Sequence, residues 1–453
     1  MSPRQWLGLF ALSLPIVALS VDANGIVVLL PQIGHDLGVS AAAAGAIVTC
    51  QSLAFAAPLL LIGKIADRFG ARPLLLGGVV AFGIASFICA AADSFTVMIV
   101  GRSLQGVASA CCFTTSLAAI DALFEGDRQP IAVGIWGALG GIGGASGPLV
   151  ASLLAEAWSW RAFFGVNVIL LSVAFVLLAV LVPPLPLDAT CRVPVVRLGF
   201  LMLGIGFAVG GMQQAASSGW SSLGTITSIA IGAVFLALTL RRRDTGEPLV
   251  PSSVSRVPSF RLGTAEATLS NWGSGVVMVL VPISLQLVRH TSVLDTGLLF
   301  LAFSIPFAVG GGVSGPLIRV RGGPRSLALG LLQLTVGVVG LAIVGPDGAI
   351  GLVILTLAIA GFGNGIVYSA STSYALVAIA PTDAGQASAV LSMLRVLGLA
   401  LAVALSTSLM TTVDGAFPGS AWGVRVALVV AAAISAAGIP LTRRAPSTVE
   451  SPR

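Results

Sequence analysis

Residues 43–92 read AAGAIVTCQSLAFAAPLLLIGKIADRFGARPLLLGGVVAFGIASFICAAA, which is two apolar segments on either side of one short charged loop. Each apolar segment, 43–62 and 74–92, has about the 20 residues that an α-helix needs to cross the hydrocarbon core of a bilayer. Within lipid, a segment must satisfy all of its own backbone hydrogen bonds. The stretch therefore predicts a helical hairpin that crosses a membrane twice.

The rest of the chain continues this pattern. Hydrophobic residues make up 56% of its 453 residues and charged residues only 9%, whereas a soluble domain carries roughly 25% charged residues. This number of charged residues is too small to cover the surface of a soluble globule. The composition therefore excludes a soluble fold. We predict fourteen membrane-spanning helices from the apolar runs at residues 6–30, 43–62, 74–92, 96–117, 131–155, 162–182, 197–216, 222–240, 261–288, 296–318, 326–345, 349–379, 387–411 and 422–441.

The basic residues predict the orientation of these helices. If the N-terminus is cytoplasmic, 18 of the 23 Lys and Arg residues fall on the inner side, while Arg161, Arg289 and Arg425 lie outside and Arg102 and Arg395 lie within spans. Cytoplasmic loops of membrane proteins are rich in Lys and Arg. We therefore predict a multi-pass protein of the inner (plasma) membrane with both termini in the cytoplasm. The net charge of +6 then indicates basic residues that face anionic lipid rather than a nucleic-acid partner.

A short repeat divides the chain. The loop GKIADRFG at 63–70 has an echo in GPLIRVRG at 315–322, which lies 252 residues later, and both loops fall on the predicted inner side. Internal repeats are common in membrane transporters. The repeat predicts an N-terminal six-helix bundle at 1–182, a linker with two extra membrane helices at 183–259 and a C-terminal six-helix bundle at 260–453.

Four segments resemble motifs of one transporter family. The loop 63–72 resembles the signature loop of the major facilitator superfamily, and RSLQG at 102–106 resembles its intramembrane Arg-x-x-Gln-Gly motif. The segment GGASGP at 143–148 is similar to the antiporter motif of the drug:proton antiporter family with 14 spans, and Asp22 with the Leu-Pro pair at 30–31 resembles the helix-one motif of that group. The resemblance implies an all-α major facilitator fold with two six-helix bundles around a central cavity and two inserted helices.

The loop after the second helix is a candidate conformational latch. An acidic side chain near a helix end can pair with basic side chains or with the N-terminus of a neighbouring helix. Arg319 stands in the second loop where the first has Asp67, so we expect a latch only in the N-terminal half. The alternative is that the basic residues only set the orientation of the chain. The latch residues would be Gly63, Asp67, Arg68, Gly70 and Arg72.

Two ionisable residues of the first half lie at comparable depth. Asp22 is about 12 Å below the outer end of helix one, and Arg102 is about 9 Å below the same surface in helix four. Ionisable groups within a membrane usually pair or line a cavity, and they are functional candidates. Our hypothesis is that Asp22 carries the coupling proton and Arg102 tunes it. The alternative is a static ion pair that only holds the helices together.

The second half carries one candidate of the same kind. Glu266 lies about 8 Å from the inner end of helix nine, followed at helical spacing by Ser270 and Ser274. It is our second candidate for binding a proton or cation. An interfacial carboxylate that extends to water is the alternative. For the intramembrane Arg395 we expect a structural role.

Helix five combines small residues with a proline. Gly143 and Gly147 permit close approach of a neighbouring helix and Pro148 permits a bend, which suits a hinge where the two bundles touch. Ordinary close packing of membrane helices is the alternative. Polar and aromatic side chains in the spans are candidates for a substrate cavity, namely Asn24, Gln51, Trp136, Asn271, Trp272 and Tyr368.

The sequence contains no pattern typical of an enzyme. His35 and His290 are isolated, so they suggest neither a metal site nor a catalytic triad, and the chain has no phosphate-binding loop for ATP. We therefore expect no catalytic residue, no metal and no cofactor. The energy for transport should come from a proton gradient.

The family resemblance implies a proton-coupled exporter of amphipathic drugs, antibiotics or related toxic compounds that works by alternating access. Its partners would be the small-molecule substrate, protons and the lipid bilayer, with no nucleic acid, and we expect a monomer. One alternative is a proton-coupled carrier for a single natural metabolite or a self-made antibiotic. Another, from a different class, is a membrane enzyme or a non-transporting sensor.

Overall fold

The computed structural model describes residues 3–124, 128–184, 194–241, 250, 252–380, 383–416 and 422–443, and within these ranges it contains helices and no strand. The predicted all-α fold is confirmed. In chain order the helices are α1 (Pro3–Asp36), α2 (Ala41–Ala56), α3 (Leu59–Phe69), α4 (Ala71–Ala90), α5 (Phe95–Leu123), α6 (Arg128–Ala157), α7 (Trp160–Leu181), α8 (Val195–Ser218), α9 (Leu223–Arg241), α10 (Ser252–Ser255), α11 (Pro258–Val288), α12 (Val293–Arg321), α13 (Gly323–Val344), α14 (Ile350–Leu376), α15 (Ala384–Ala416), α16 (Trp422–Ala436) and α17 (Ile439–Arg443).

The number of membrane crossings agrees with the sequence prediction. Among the described residues, 13 helical segments are long and apolar enough to span a membrane, and the shorter apolar segment Leu223–Thr239 corresponds to the remaining predicted run. Helices α2 and α3 together form one crossing, Ala43–Ala66, which is interrupted at Pro58. Proline has no amide hydrogen for the helical ladder, so the break at this position has a direct chemical cause.

The two repeated loops share one backbone geometry. Gly70 joins α3 to α4 with φ 92° and ψ 138°, and Gly322 joins α12 to α13 with φ 79° and ψ 161°. A positive φ favours glycine because a Cβ atom would clash with the backbone. The repeat in the sequence is therefore also a repeat in structure, since two helices turn sharply at equivalent positions.

The packing order of the helices positions the site. In the first half α1 packs against α2, α6 and α7, and α5 packs against α2 and α4. In the second half α14 packs against α11, α12 and α13, and α15 packs against α11 and α16. The pair of α8 and α9 attaches through α8 to α2 and α15. Contacts between the halves run through α2 with α15, α6 with α12 and α1 with α11. The domain boundaries at residues 182 and 259 stay predictions.

Candidate functional site

Asp22 is the centre of a hydrogen-bond network that joins four helices of the first half. Its side chain is fully buried on α1. The carboxylate oxygen Oδ2 accepts hydrogen bonds from Arg102 Nη1 of α5 at 2.7 Å and from Gln51 Nε2 of α2 at 2.8 Å. The other oxygen, Oδ1, accepts one from Asn167 Nδ2 of α7 at 2.9 Å. The structure thus brings Asp22 and Arg102 together, as their depths in the sequence predict.

Arg102 is as fully buried as Asp22 and has further partners. It donates to Gln105 Oε1 at 2.8 Å, to Gln51 Oε1 and to the backbone oxygen of Ile47 at 3.4 Å. The ring of Phe164 lies 5.7 Å from the guanidinium carbon. Two opposite charges with satisfied hydrogen bonds can be held away from water, whereas either one alone would be very costly to bury.

The arrangement determines what chemistry Asp22 can perform. Arg102, Gln51 and Asn167 all donate hydrogen bonds to the carboxylate, and the Asp22 side chain is sealed from water in this conformation. Water can therefore reach Asp22 only after Arg102 or its amide neighbours move away, so the network is closed in this conformation.

The sequence analysis did not predict that Gln51 and Asn167 belong to this network. Gln51 is predicted to line the substrate cavity, but the structure places it between Asp22 and Arg102, where it donates to one and accepts from the other. Asn167 has no predicted role. Its depth in the membrane could have identified it as a neighbour of Arg102. Asn167 lies seven residues into α7, about 10 Å along the helix, which is similar to the depth of Arg102 in α5.

Glu266 lies apart from this network, on α11. Its side chain is fully buried, and neither carboxylate oxygen has a hydrogen-bond partner among the described residues. Gly438, in the turn between α16 and α17, packs close to Glu266 Oε2 and to Leu331 of α13. The following Ser270 and Ser274 donate to backbone oxygens of their own helix. In this conformation the carboxylate does not extend to water.

The predicted latch loop has a structural contact that the sequence does not reveal. Arg72 donates to the backbone oxygens of Val182 at 2.7 Å and Ala179 at 2.9 Å, at the C-terminal end of α7. Arg68 is exposed and lies over the ring of Phe69. Gly70 makes the turn described above, and Gly63 lies near Thr114. The side chain of Asp67 is outside the described residues, so its pairing stays a prediction.

Replacing Arg72 by Gln is expected to lower the free energy of unfolding by about 1–3 kcal/mol, because two helix-end carbonyls lose a charged donor. Transport by the folded variant should stay coupled to protons. Unfolding in detergent and proton flux in vesicles would measure the two effects. Arg68→Gln is the matched control and should change stability by less than about 0.5 kcal/mol. Loss of coupling in Arg72→Gln at unchanged stability would show that Arg72 belongs to a latch instead.

The predicted antiporter motif contacts both halves of the molecule. A Cβ atom on Gly143 would lie 2.9 Å from the backbone oxygen of Val17, and one on Gly147 would lie 2.8 Å from that of Val21, so both glycines permit close packing of α6 on α1. On another side of α6, Pro148 and Ser152 pack against Gly297 of α12. The motif therefore lies where the first half meets the second.

The remaining cavity candidates differ in exposure. Trp136 is buried and donates to Ser116 Oγ at 3.2 Å. Asn24 donates to the backbone oxygen of Ser20 at 2.8 Å and lies beside Gly144.

Asn271 and Trp272 are partly buried on α11, and Asn271 donates to the backbone oxygen of Arg395 at 3.1 Å. Tyr368 of α14 is 41% exposed and lies under the guanidinium of Arg395. Of the six candidates, Tyr368 is the one with a large accessible surface. Among the side chains that the structure describes, no group of three or more His, Cys, Asp or Glu could hold a metal ion.

The long apolar helices and the sealed ion pair define a membrane protein with an ionisable site inside its helical bundle. The family model of the Major Facilitator Superfamily matches residues 12–403. The chain belongs to this superfamily, and the predicted family is confirmed.

Two curated proteins are similar to most of the chain, and a solved structure shares its fold. The puromycin resistance protein pur8 of Streptomyces alboniger is 32% identical over 92% of this chain and 84% of its own length. The multidrug resistance protein Stp of Mycobacterium tuberculosis is 29% identical over 90% of this chain and 76% of its own length. A crystal structure of the peptide transporter POT in complex with alafosfalin has the same fold, with a TM-score of 0.69 at 15% identity over 98% of this chain and 99% of that one.

Proposed function

We propose that the protein exports amphipathic drugs or antibiotics in exchange for protons by alternating access. It would work as a monomer in the inner membrane with both termini in the cytoplasm. The observation that carries the proposal is the network of Asp22, Arg102, Gln51 and Asn167, because it ties four helices of the first half to one ionisable carboxylate. The similarity to resistance transporters supports drugs and antibiotics as the cargo.

Opening of the network supplies the coupling step. When the two halves rock and α1 moves relative to α5, the contact between Asp22 and Arg102 lengthens and the carboxylate becomes accessible to water. Asp22 then takes a proton from outside, while Gln51 and Gln105 remain as partners for Arg102. After the proton has left toward the cytoplasm, return to the described conformation restores the ion pair. The proton gradient drives this cycle, and substrate shifts the balance between the two conformations because it binds them with different affinity.

Glu266 is the second candidate for binding a proton. Its side chain is fully buried and neither carboxylate oxygen has a hydrogen-bond partner among the described residues, so it shares no hydrogen bond with the Asp22 network. Asp22 is the preferred coupling residue, because its partners come from several helices that can separate.

Uptake into inside-out vesicles tests the proposal. Vesicles from a pump-deficient host that expresses the chain should accumulate puromycin, ethidium or an acidic dye when a proton gradient is imposed, and a protonophore should abolish the accumulation. Accumulation that is insensitive to the protonophore would contradict proton coupling. Uptake of one metabolite with no drug moved would favour the alternative of a dedicated carrier.

A further inference from the structure

Arg395 is a buried cation without an acidic partner. It lies on α15, is 7% exposed, and donates through Nη2 to the backbone oxygen of Tyr368, to Ser371 Oγ and to Thr372 Oγ1 at 2.8–3.1 Å. All three acceptors are neutral. Its Nε is buried and has no partner, and no salt bridge joins Arg395 to a carboxylate in the part of the chain that is described.

The second intramembrane arginine makes the contrast clear. Arg102 is fully buried, but the carboxylate of Asp22 neutralises it at 2.7 Å. An uncompensated charge in a membrane protein is costly, and such residues usually face a water-filled pathway and mark a substrate or ion site. The purely structural role expected from the sequence leaves the charge of Arg395 unexplained, because neutral hydrogen bonds would hold α14 to α15 at lower cost.

The surroundings of Arg395 suit an aromatic ligand. Its guanidinium carbon lies 4.0 Å from the ring centre of Tyr368, and the same ring meets Phe307 of α12 edge-on at 5.7 Å. Tyr368 is 41% exposed although it lies eight residues, about 12 Å, before the end of α14. An accessible aromatic surface at this depth, beside a cation, can stack on a planar group and pair with its negative charge.

The two acidic residues buried within the spans do not neutralise the positive charge of Arg395. Asp22 is sealed against Arg102, Glu266 is enclosed beside Gly438, and neither of these two acids forms a salt bridge with Arg395. The unpaired charge at this position is therefore positive.

We propose that Arg395 and Tyr368 form the recognition site for an anionic aromatic group, such as the carboxylate or phenolate of an amphipathic weak acid. This inference rests on the proposed export function and specifies its cargo. Arg395 binds the negative oxygen and Tyr368 stacks on the adjoining ring. Anionic aromatic compounds are then preferred over cations of the same shape.

Two xanthene dyes test the preference, since fluorescein is an anion and rhodamine 6G is a cation with a similar ring system. The affinity of purified protein for each dye is measured by fluorescence anisotropy, and transport is measured in inside-out vesicles. We expect the wild type to bind fluorescein more tightly than rhodamine 6G. Arg395→Gln should weaken fluorescein binding about tenfold or more and leave rhodamine 6G binding unchanged or improved.

Two further variants separate recognition from folding. Arg395→Lys keeps the charge and should retain part of the fluorescein affinity, whereas Tyr368→Leu should weaken binding of both dyes through lost stacking. Equal loss of both dyes in folded Arg395→Gln, or a wild type that prefers rhodamine 6G, would overturn the inference and leave proton-driven export intact. Transport of neither dye or puromycin by the wild type would instead contradict the export function itself.

Discussion

Asp22→Asn is expected to abolish proton-coupled transport and to lower the free energy of unfolding by about 3–5 kcal/mol. The amide cannot exchange a proton, and it leaves Arg102 as a buried cation without a counter-charge. Its NH₂ group would also face donors from Gln51 or Asn167. Proton uptake in proteoliposomes and unfolding in detergent measure the two parts of the effect.

A double variant separates coupling from stability. Asp22→Asn combined with Arg102→Gln removes both charges, so no charge is buried alone and most of the lost stability should return. Transport against a gradient should nevertheless remain uncoupled from protons. If the folded double variant still accumulates drug at the expense of the proton gradient, Asp22 is not the coupling residue.

Gly297→Val is expected to block transport in a protein that still folds. A Cβ atom on Gly297 would overlap the Ser152 side chain and lie 2.9 Å from the backbone oxygen of Pro148, so α12 could no longer approach α6. The clash lies between the two halves rather than within one of them. Overpacking of this kind costs about 1–3 kcal/mol, which shifts the balance between conformations by about 5- to 150-fold.

Gly312→Val provides the matched control for this effect. Gly312 lies on the same helix, and a Cβ atom there would meet nothing within 4 Å. Drug transport and cysteine accessibility near residues 148 and 297 should change in Gly297→Val and stay at wild-type levels in Gly312→Val. Equal behaviour of the two variants would show that the contact between α6 and α12 does not limit transport.

The sequence predicts the membrane helices well because their length follows from the thickness of the hydrocarbon. The run at 74–92, for example, corresponds to α4 at Ala71–Ala90. The break between α2 and α3 lies inside one apolar run, where composition does not change, and the prediction missed it although Pro58 is its cause. The meeting of Asp22 and Arg102 follows from depth, since each helix rises by a constant amount per residue.

Depth does not determine which way a side chain points, and most of the remaining site depends on direction. Gln51 and Trp136 lie at suitable depths for a cavity, yet both side chains form hydrogen bonds to neighbouring helices of the first half. The contacts of Arg72 with the end of α7 and of Glu266 with Gly438 join residues more than 100 positions apart. Such contacts arise from the packing of the whole bundle, which local patterns do not record.

The central claim is that Asp22 changes protonation during the transport cycle. Infrared difference spectroscopy of the reconstituted protein, recorded as a transported drug is added, detects a protonated carboxyl group directly through its carbonyl stretch. We expect a carboxyl signal that Glu266→Gln retains and that the double variant Asp22→Asn with Arg102→Gln lacks. A wild-type spectrum without any carboxyl change, or a signal that persists in the double variant, would contradict the account.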